Sequence, residues 1–318
     1  MYDIIIIGAG PAGLTAAIYA RRAEKSVLVI EKDTFGGQIT HSPRVENYPG
    51  FLAMSGNEFA DKLIEQAMEQ GAEIELDTVT GIGGREGEYK VICGSREYEG
   101  RSVIIATGSR HRTLGIANEE RYTGEGISYC AVCDGAFYRG KRVAVIGGGN
   151  SALQDAVMLS DNCKQVTVVQ NLDFLTGEPR LQGVLSKKEN VDFIYSSVVK
   201  RVIADSGEFR GIVIADAKTG AESEIYCDGV FVAIGQIPEN EPFESVVKLN
   251  DYGYIAAGEA CVPEGSGEIS ARGIFAAGDC RTKSVRQVTT ATADGAVAAI
   301  SACRFIDSLK SADASALS

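Results

Sequence analysis

Histidine, basic charge and long apolar runs are all scarce in this sequence, and each shortage excludes something. Only two histidines occur, His41 and His111, and neither stands near a cysteine pair. A lone C-x-x-C cannot supply the four ligands of a structural zinc ion, so no metal centre is expected. Lys and Arg total 31 against 43 Asp and Glu, a formal net charge of −12. That balance argues against a nucleic-acid-binding surface, which needs clustered basic charge. The first apolar run, Ile4 to Ile7, stops at Gly8, far short of the ~20 residues of a membrane span. No basic segment precedes it, so it does not read as a signal peptide. The expected location is the cytoplasm, where the eight cysteines should be mostly reduced thiols. Six of them, Cys93, Cys163, Cys227, Cys261, Cys280 and Cys303, stand alone and read as small buried hydrophobes.

What is present is an ordinary globular balance, 45% apolar and 23% charged in 318 residues, enough for roughly two domains. The 37 glycines exceed the usual share of about 7%, and they sit in short motifs. Two stretches open alike. Tyr2-Asp3-Ile4-Ile5-Ile6-Ile7 leads into Gly8-Ala9-Gly10-Pro11-Ala12-Gly13, a helix-like segment to Arg22, and a second strand ending at Glu31. Arg142-Val143-Ala144-Val145-Ile146 leads into Gly147-Gly148-Gly149-Asn150-Ser151-Ala152, a helix through about Leu159, and a strand ending at Gln170. Continuous apolar runs fit strands buried on both faces. The chain is therefore expected to be an α/β protein with two Rossmann-like dinucleotide-binding domains, the smaller inserted in the larger. The expected limits are 1–114 plus 244–318 for the larger and 115–243 for the smaller. Later strands ending in glycine, at Ala106-Thr107-Gly108 and at Gly235, match one to each copy. A further strand turns at Ala277-Gly278-Asp279, and a helix is expected from Asp294 to Phe305.

The first glycine motif, with a strand before it and a helix after it, has the form that lets a pyrophosphate approach the backbone at a helix N-terminus. Glu31, roughly 20 residues on, is placed to accept ribose hydroxyls. The second motif has the same context, but its strand ends in Gln170, Asn171 and Leu172. A dinucleotide site commonly has an acid there, or arginine for a 2′-phosphate, so its ligand stays open, including none. Cys130-Ala131-Val132-Cys133 puts two thiols within disulfide reach. Asp134 follows, either as a carboxyl that exchanges a proton with a departing thiolate or as a turn cap. Asp279 fits a contact to sugar or ribityl hydroxyls, with Arg286, Gln287 and Val288 brought in by its loop, or else a simple turn.

Two nucleotide-binding folds, with C-x-x-C-D just before the second glycine-rich loop, resemble the low-molecular-weight thioredoxin reductases. The matching residues are the Gly8 to Gly13 motif, Gly36-Gly37-Gln38, Glu46-Asn47-Tyr48-Pro49-Gly50, Ala106-Thr107-Gly108, Cys130 to Gly135, Gly147 to Ala152, Gly278-Asp279 and Arg286-Gln287-Val288. The resemblance implies FAD in the larger domain, held by Gly8, Gly10, Pro11, Ala12, Gly13, Glu31, Gly37, Gln38, Asn47, Ala106, Thr107, Gly108, Asp279, Arg286, Gln287 and Val288. It implies a nicotinamide dinucleotide, NADH or NADPH, at Gly147, Gly149, Asn150 and Ser151. It assigns Cys133 to face the flavin, Cys130 to attack the disulfide of thioredoxin, and Asp134 to acid–base work in a homodimer. One departure matters. The family's His-Arg-Arg run for the 2′-phosphate reads Gln170-Asn171-Leu172 here, and the next arginine is Arg180. Reduced ferredoxin, a donor to some relatives, therefore joins the candidates. Two other readings share these features: a flavin-dependent dithiol oxidase acting on a small molecule, and a redox sensor without turnover.

Overall fold

The opening apolar run becomes strand β1 (Tyr2–Ile7), whose last four residues are buried. The computed structural model describes residues 1–42, 44–265 and 271–316. Helix α1 (Pro11–Arg22) follows at once, with proline in its first turn, where no backbone N–H is lost, and Arg21 and Arg22 at its negative end. Strand β2 (Val27–Glu31) lies parallel to β1, Ile4 opposite Val27 and Ile7 opposite Ile30. Helix α2 (Gly56–Glu69) starts at Ser55, whose side chain accepts the Glu58 N–H in the S-x-x-E capping pattern. It feeds the parallel strand β3 (Glu73–Leu76). Strands β4 (Val79–Arg85), β5 (Glu88–Cys93) and β6 (Glu97–Ile105) form an antiparallel meander that brings β6 alongside β1.

The chain divides into two units, residues 1–110 with 237–318, and residues 111–236. Strand β7 (Ser109–His111) leads out of the first. The second unit contains α3 (Glu119–Tyr122), β8 (Ile127–Ser128), α4 (Ala131–Asp134), β9 (Arg142–Ile146), α5 (Asn150–Ser160) and β10 (Gln165–Val169). Then come α6 (Pro179–Leu185), β11 (Val191–Ile194), the antiparallel ribbon β12 (Ser197–Asp205), β13 (Glu208–Asp216) and β14 (Glu222–Tyr226), and β15 (Gly229–Val232). Strand β16 (Gln236–Pro238) pairs with β7 where the chain returns. The first unit is completed by β17 (Ile274–Ala276), parallel to β6, and α7 (Val288–Ala316).

The two sheets share one plan. In the first the order is β3-β2-β1-β6, with β17 also on β6; in the second it is β11-β10-β9-β15-β8, parallel throughout. Both units are Rossmann-like. Alternation along β1 divides the first core in two: Ile4 and Ile6 pack with Leu14, Ala17, Ala298 and Ala302 of α1 and α7, while Ile5 and Ile7 pack with Val91, Phe243 and Val246. Each such isoleucine contributes roughly 1.5–3 kcal/mol by leaving water. In the second unit Val143 and Val145 face α5, and Ala144 and Ile146 face Ile212 and Ile214 of the ribbon. The last helix begins at Val288, earlier than the expected Asp294. Its β-branched first turn is a weak helix former, but the Thr290 hydroxyl accepts the Gln287 N–H at 3.1 Å and starts it.

Candidate functional site

In the first unit the glycine-rich turn joins β1 to α1 and is built by close approach. Gly8 has φ +108°, and a Cβ there would lie 2.4 Å from the Ala106 carbonyl oxygen at the end of β6. A Cβ on Gly13 would fall 1.9 Å from the Gly8 oxygen. Gly10 differs: a Cβ there would meet only the Gly36 oxygen, at 3.9 Å, so open space lies over it. The Gly36–Gly37 turn packs against this place, the Gly36 N–H donating to the Ala9 carbonyl at 2.8 Å. Gln38 sits in the 3-10 turn Gly37–His41 that follows. Glu31 is buried at the end of β2. Its Oε2 accepts the Ala9 N–H at 2.8 Å, and its Oε1 accepts the N–H groups of Lys32 and Asp33 at 2.9 and 3.0 Å. Oε2, with one N–H bound, keeps a lone pair for a further donor.

The structure brings the far half of this cradle to the same turn. A Cβ on Gly278 would touch Ala12 Cβ at 2.8 Å, so the 3-10 turn Gly278–Cys280 lies against the start of α1. There the buried Asp279 Oδ1 has no hydrogen-bond partner among the described residues, while Lys283 Nζ stands 3.8 Å off. Burial pushes the Asp279 carboxyl above its ordinary range, with Lys283 and Arg286 pulling the other way. A buried oxygen without a donor, beside an open glycine shelf at a helix N-terminus, fits a dinucleotide that brings hydroxyls and phosphates of its own. Arg286 stacks on Tyr254, 4.2 Å from its ring centre, and the Gln287 side-chain oxygen accepts from Asn47 Nδ2 at 3.2 Å. Val288 opens α7.

Two further sets of residues hold this cradle without having announced themselves in the sequence. Asn240 is fully buried; its Oδ1 accepts from Thr107 Oγ1 at 3.0 Å and its Nδ2 donates to the Cys280 carbonyl at 2.8 Å. It thus ties the Ala106-Thr107-Gly108 turn to the Asp279 turn. Asp294 receives Arg281 at 3.1 Å, Lys283 at 3.0 Å and the Gly278 N–H at 3.1 Å. No local spacing signals either set, because the partners lie on different elements.

The second unit carries the thiols. Cys130 and Cys133 form a disulfide across the first turn of α4, Cα–Cα 5.3 Å, within the ordinary range for such a bond. Cys130 caps that turn, its Sγ accepting the Cys133 N–H at 3.1 Å. Asp134 ends the helix. Its Oδ2 accepts from Ser128 Oγ at 2.6 Å, and its Oδ1 is buried without a hydrogen-bond partner among the described residues. Burial raises the Asp134 carboxyl above its ordinary range, and the Ser128 bond opposes that. Ser128, not singled out by the sequence, also accepts the Cys130 N–H at 3.1 Å.

The second glycine turn repeats the first: Gly147 has φ +130°, and a Cβ there would lie 2.5 Å from the Ala233 oxygen at the end of β15. A Cβ on Gly149 would meet only Thr176 Oγ1, at 3.8 Å. The strand end is different. Gln170 is buried and spends its amide on its own loop, accepting the Asn171 N–H at 3.1 Å and donating to the Phe174 carbonyl at 3.2 Å. Asn150, at the helix start, pairs with Glu178: its Oδ1 accepts the Glu178 N–H at 2.7 Å and its Nδ2 donates to Glu178 Oε1 at 3.3 Å. Ser151, Asn171, Leu172 and Arg180 are exposed, and no Lys or Arg occurs from Gln165 to Pro179.

Residues 2–295 match the family model described as pyridine nucleotide-disulphide oxidoreductase. The chain is 44% identical to a thioredoxin reductase of Bacillus subtilis over 312 residues, 98% of this chain and 96% of that protein. It is 41% identical to a 34.2 kDa protein of the rubredoxin operon of Clostridium pasteurianum, over 96% of this chain and 97% of that one. Among solved structures, the thioredoxin reductase of Streptococcus pyogenes superposes with a TM-score of 0.89 at 39% identity, over 97% of this chain and 99% of the other.

Proposed function

The chain belongs to the pyridine nucleotide-disulphide oxidoreductase family, among its thioredoxin reductases, and on that footing we propose that it passes electrons through FAD and the Cys130–Cys133 disulfide to thioredoxin or a similar small protein. It is a disulfide oxidoreductase enzyme. The observation that carries the proposal is the vicinal cysteine pair, joined at 5.3 Å Cα–Cα, with the Asp134 carboxyl at the end of the same short helix. FAD and a nicotinamide, when bound, supply two-electron transfer that no side chain here provides.

The first unit is the FAD-binding domain in this reading. The open shelf over Gly10 takes the pyrophosphate and Glu31 the adenosine ribose. The Asp279 Oδ1, without a hydrogen-bond partner among the described residues, takes a ribityl hydroxyl. Gly37, Gln38, Asn47 and Gln287 line the way between. The second unit presents the dithiol. Cys130, capping α4, is the cysteine offered to the partner protein, and Cys133 the one that faces the flavin. Asp134 gives a proton to a thiolate as the disulfide opens and takes one back as it closes. A carboxyl raised by burial suits that task, because it is held closer to working pH. The six single cysteines are all buried and free, which supports a reducing compartment such as the cytoplasm.

The donor is the finer point. Gln170 uses its amide within its own loop, and the segment around it has no cation. A 2′-phosphate therefore has no partner at the strand end, which supports NADH at least as well as NADPH, with reduced ferredoxin as the further candidate. The experiment is anaerobic addition of NADH, NADPH and reduced ferredoxin in turn, followed by thioredoxin. Flavin bleaching by one donor and its reversal by oxidised thioredoxin is the expected result. Bleaching that oxidised thioredoxin never reverses would overturn the proposed acceptor.

A further inference from the structure

We propose that Ser128 is the positioning residue for the acid–base group: it clamps one oxygen of Asp134 to the backbone of Cys130 and leaves the other, Oδ1, as the atom that carries the exchanged proton. The proposal rests on the reading of Asp134 given above. Ser128 is the last residue of β8 and is buried. Its Oγ donates to Asp134 Oδ2 at 2.6 Å and accepts the Cys130 N–H at 3.1 Å. A hydroxyl has one proton and two lone pairs. At these distances the proton belongs to Asp134, since the other acceptor in reach, the Cys130 carbonyl, is 3.4 Å away and already takes the Asp134 N–H at 3.0 Å. The result is a directed chain from the Cys130 amide through the Ser128 hydroxyl to Asp134 Oδ2. It fixes the carboxyl rotation and leaves Oδ1 buried with no hydrogen-bond partner among the described residues.

The chemistry follows from that asymmetry. A bound FAD would supply the two electrons that open the Cys130–Cys133 bond, and the two sulfurs would then be thiolates. Asp134 Oδ1–H transfers its proton to one of them, giving a thiol and a carboxylate. The Ser128 bond at Oδ2, neutral before the transfer, is then charge-assisted and roughly twice as strong. Ser128 thus favours release of the proton where burial alone would retain it. The titratable groups on neighbouring elements are Tyr138 in the following 3-10 turn, Asp155 on α5, and Cys227 and Asp228 ahead of β15. None of these, among the described residues, hydrogen-bonds Asp134, whose side-chain partner is Ser128.

The test uses the FAD-loaded full chain and follows the Asp134 carboxyl by its infrared carbonyl band, identified as the band that Asp134→Asn removes. Ser128→Ala should move its titration upward by about one pH unit, a tenfold change in acidity. Ser128→Thr, which restores the hydroxyl, should return it. If the alanine variant does not fold, Ser128→Gly deletes the same hydroxyl. Titration of the hydroxyl-free variant at the wild-type pH, or failure of the folded threonine variant to restore it, overturns the proposal. The parallel measurement is the pH profile of thioredoxin reduction. If Asp134→Asn leaves that profile unchanged, the acid–base reading of Asp134 falls, while the infrared titration still decides whether Ser128 sets the acidity.

Discussion

Gly10 and Gly13 stand on one turn under opposite constraints: a Cβ on Gly13 would lie 1.9 Å from a backbone oxygen, whereas one on Gly10 would meet nothing nearer than 3.9 Å. The same substitution should therefore separate folding from ligand binding. Gly10→Ala, at an extended backbone that alanine adopts freely, should leave the cofactor-free protein within about 0.5 kcal/mol of wild type. It should weaken FAD binding at least tenfold, because the methyl group stands where a pyrophosphate approaches. Gly13→Ala should instead destabilise the first unit by several kcal/mol, as overpacking against backbone does. Thermal denaturation and FAD titration of both variants check this; FAD binding unaffected in Gly10→Ala would remove the shelf from the site.

The two cysteines should fail differently. Cys130→Ser should keep flavin reduction by the donor and abolish reduction of thioredoxin, since the thiol offered to the partner is gone. Cys133→Ser should remove the long-wavelength absorbance of a thiolate lying against the flavin. Rapid-scan spectra of both variants with one donor are sufficient. A long-wavelength band that survives in Cys133→Ser and vanishes in Cys130→Ser reverses the two assignments.

Asp155 on α5 is a half-buried carboxyl pushed up to about 6 by loss of water around it alone. Its folded-state value thus exceeds that of the unfolded chain, so the charged form is the costly one. That cost is absent below the unfolded value near pH 4, grows as pH rises to about 6, and is complete above it. A rise of that size corresponds to roughly 3 kcal/mol as an upper bound, which the group's partial contact with solvent lowers. Asp155→Asn should raise the melting temperature by several degrees at pH 8 and leave it unchanged at pH 4. Equal effects at both pH values would mean that the substitution acts through packing and not through charge.

Much of this fold was legible because its signals are short-range. The apolar runs of β1 and β9, the glycines that follow them and the acid closing β2 all fall within one supersecondary unit, and the structure places them as two copies of one plan. Among the antiparallel strands, glycines break the pattern of β4, and although β5 alternates exposed and buried residues, only their partners define these strands as a sheet. The hidden part of the site has the same cause. Thr107 meets Asn240 across 133 positions, and the end of β6 and the chain returning through β16 must both be in place before that bond exists. Ser128 is closer to Asp134, but a serine at the end of a two-residue strand carries no pattern of its own.

Glu31 and Gln170 close the same strand in the two units, and the difference between them sets the last expectation. The Glu31 carboxylate holds three backbone N–H groups and still has a lone pair on Oε2 to offer a ribose. The Gln170 amide accepts one N–H and turns its own donor inward to the Phe174 carbonyl. Asn171 and Leu172 beside it bring no cation, and Arg180, the next arginine, begins only with α6. A charge-assisted bidentate contact to a phosphate is about twice as strong as a neutral one, and nothing at this strand end makes one. The net charge of −12 opposes a dianionic 2′-phosphate further, at long range. NADPH should therefore reduce the flavin no faster than NADH at equal concentration. Leu172→Arg should shift the preference toward NADPH, by up to tenfold if the guanidinium reaches the phosphate. Anaerobic half-reaction rates for both donors, with both proteins, check this. A wild-type rate with NADPH more than about tenfold above that with NADH, about 1.4 kcal/mol of discrimination, would show that Arg180 or another cation reaches the phosphate after all.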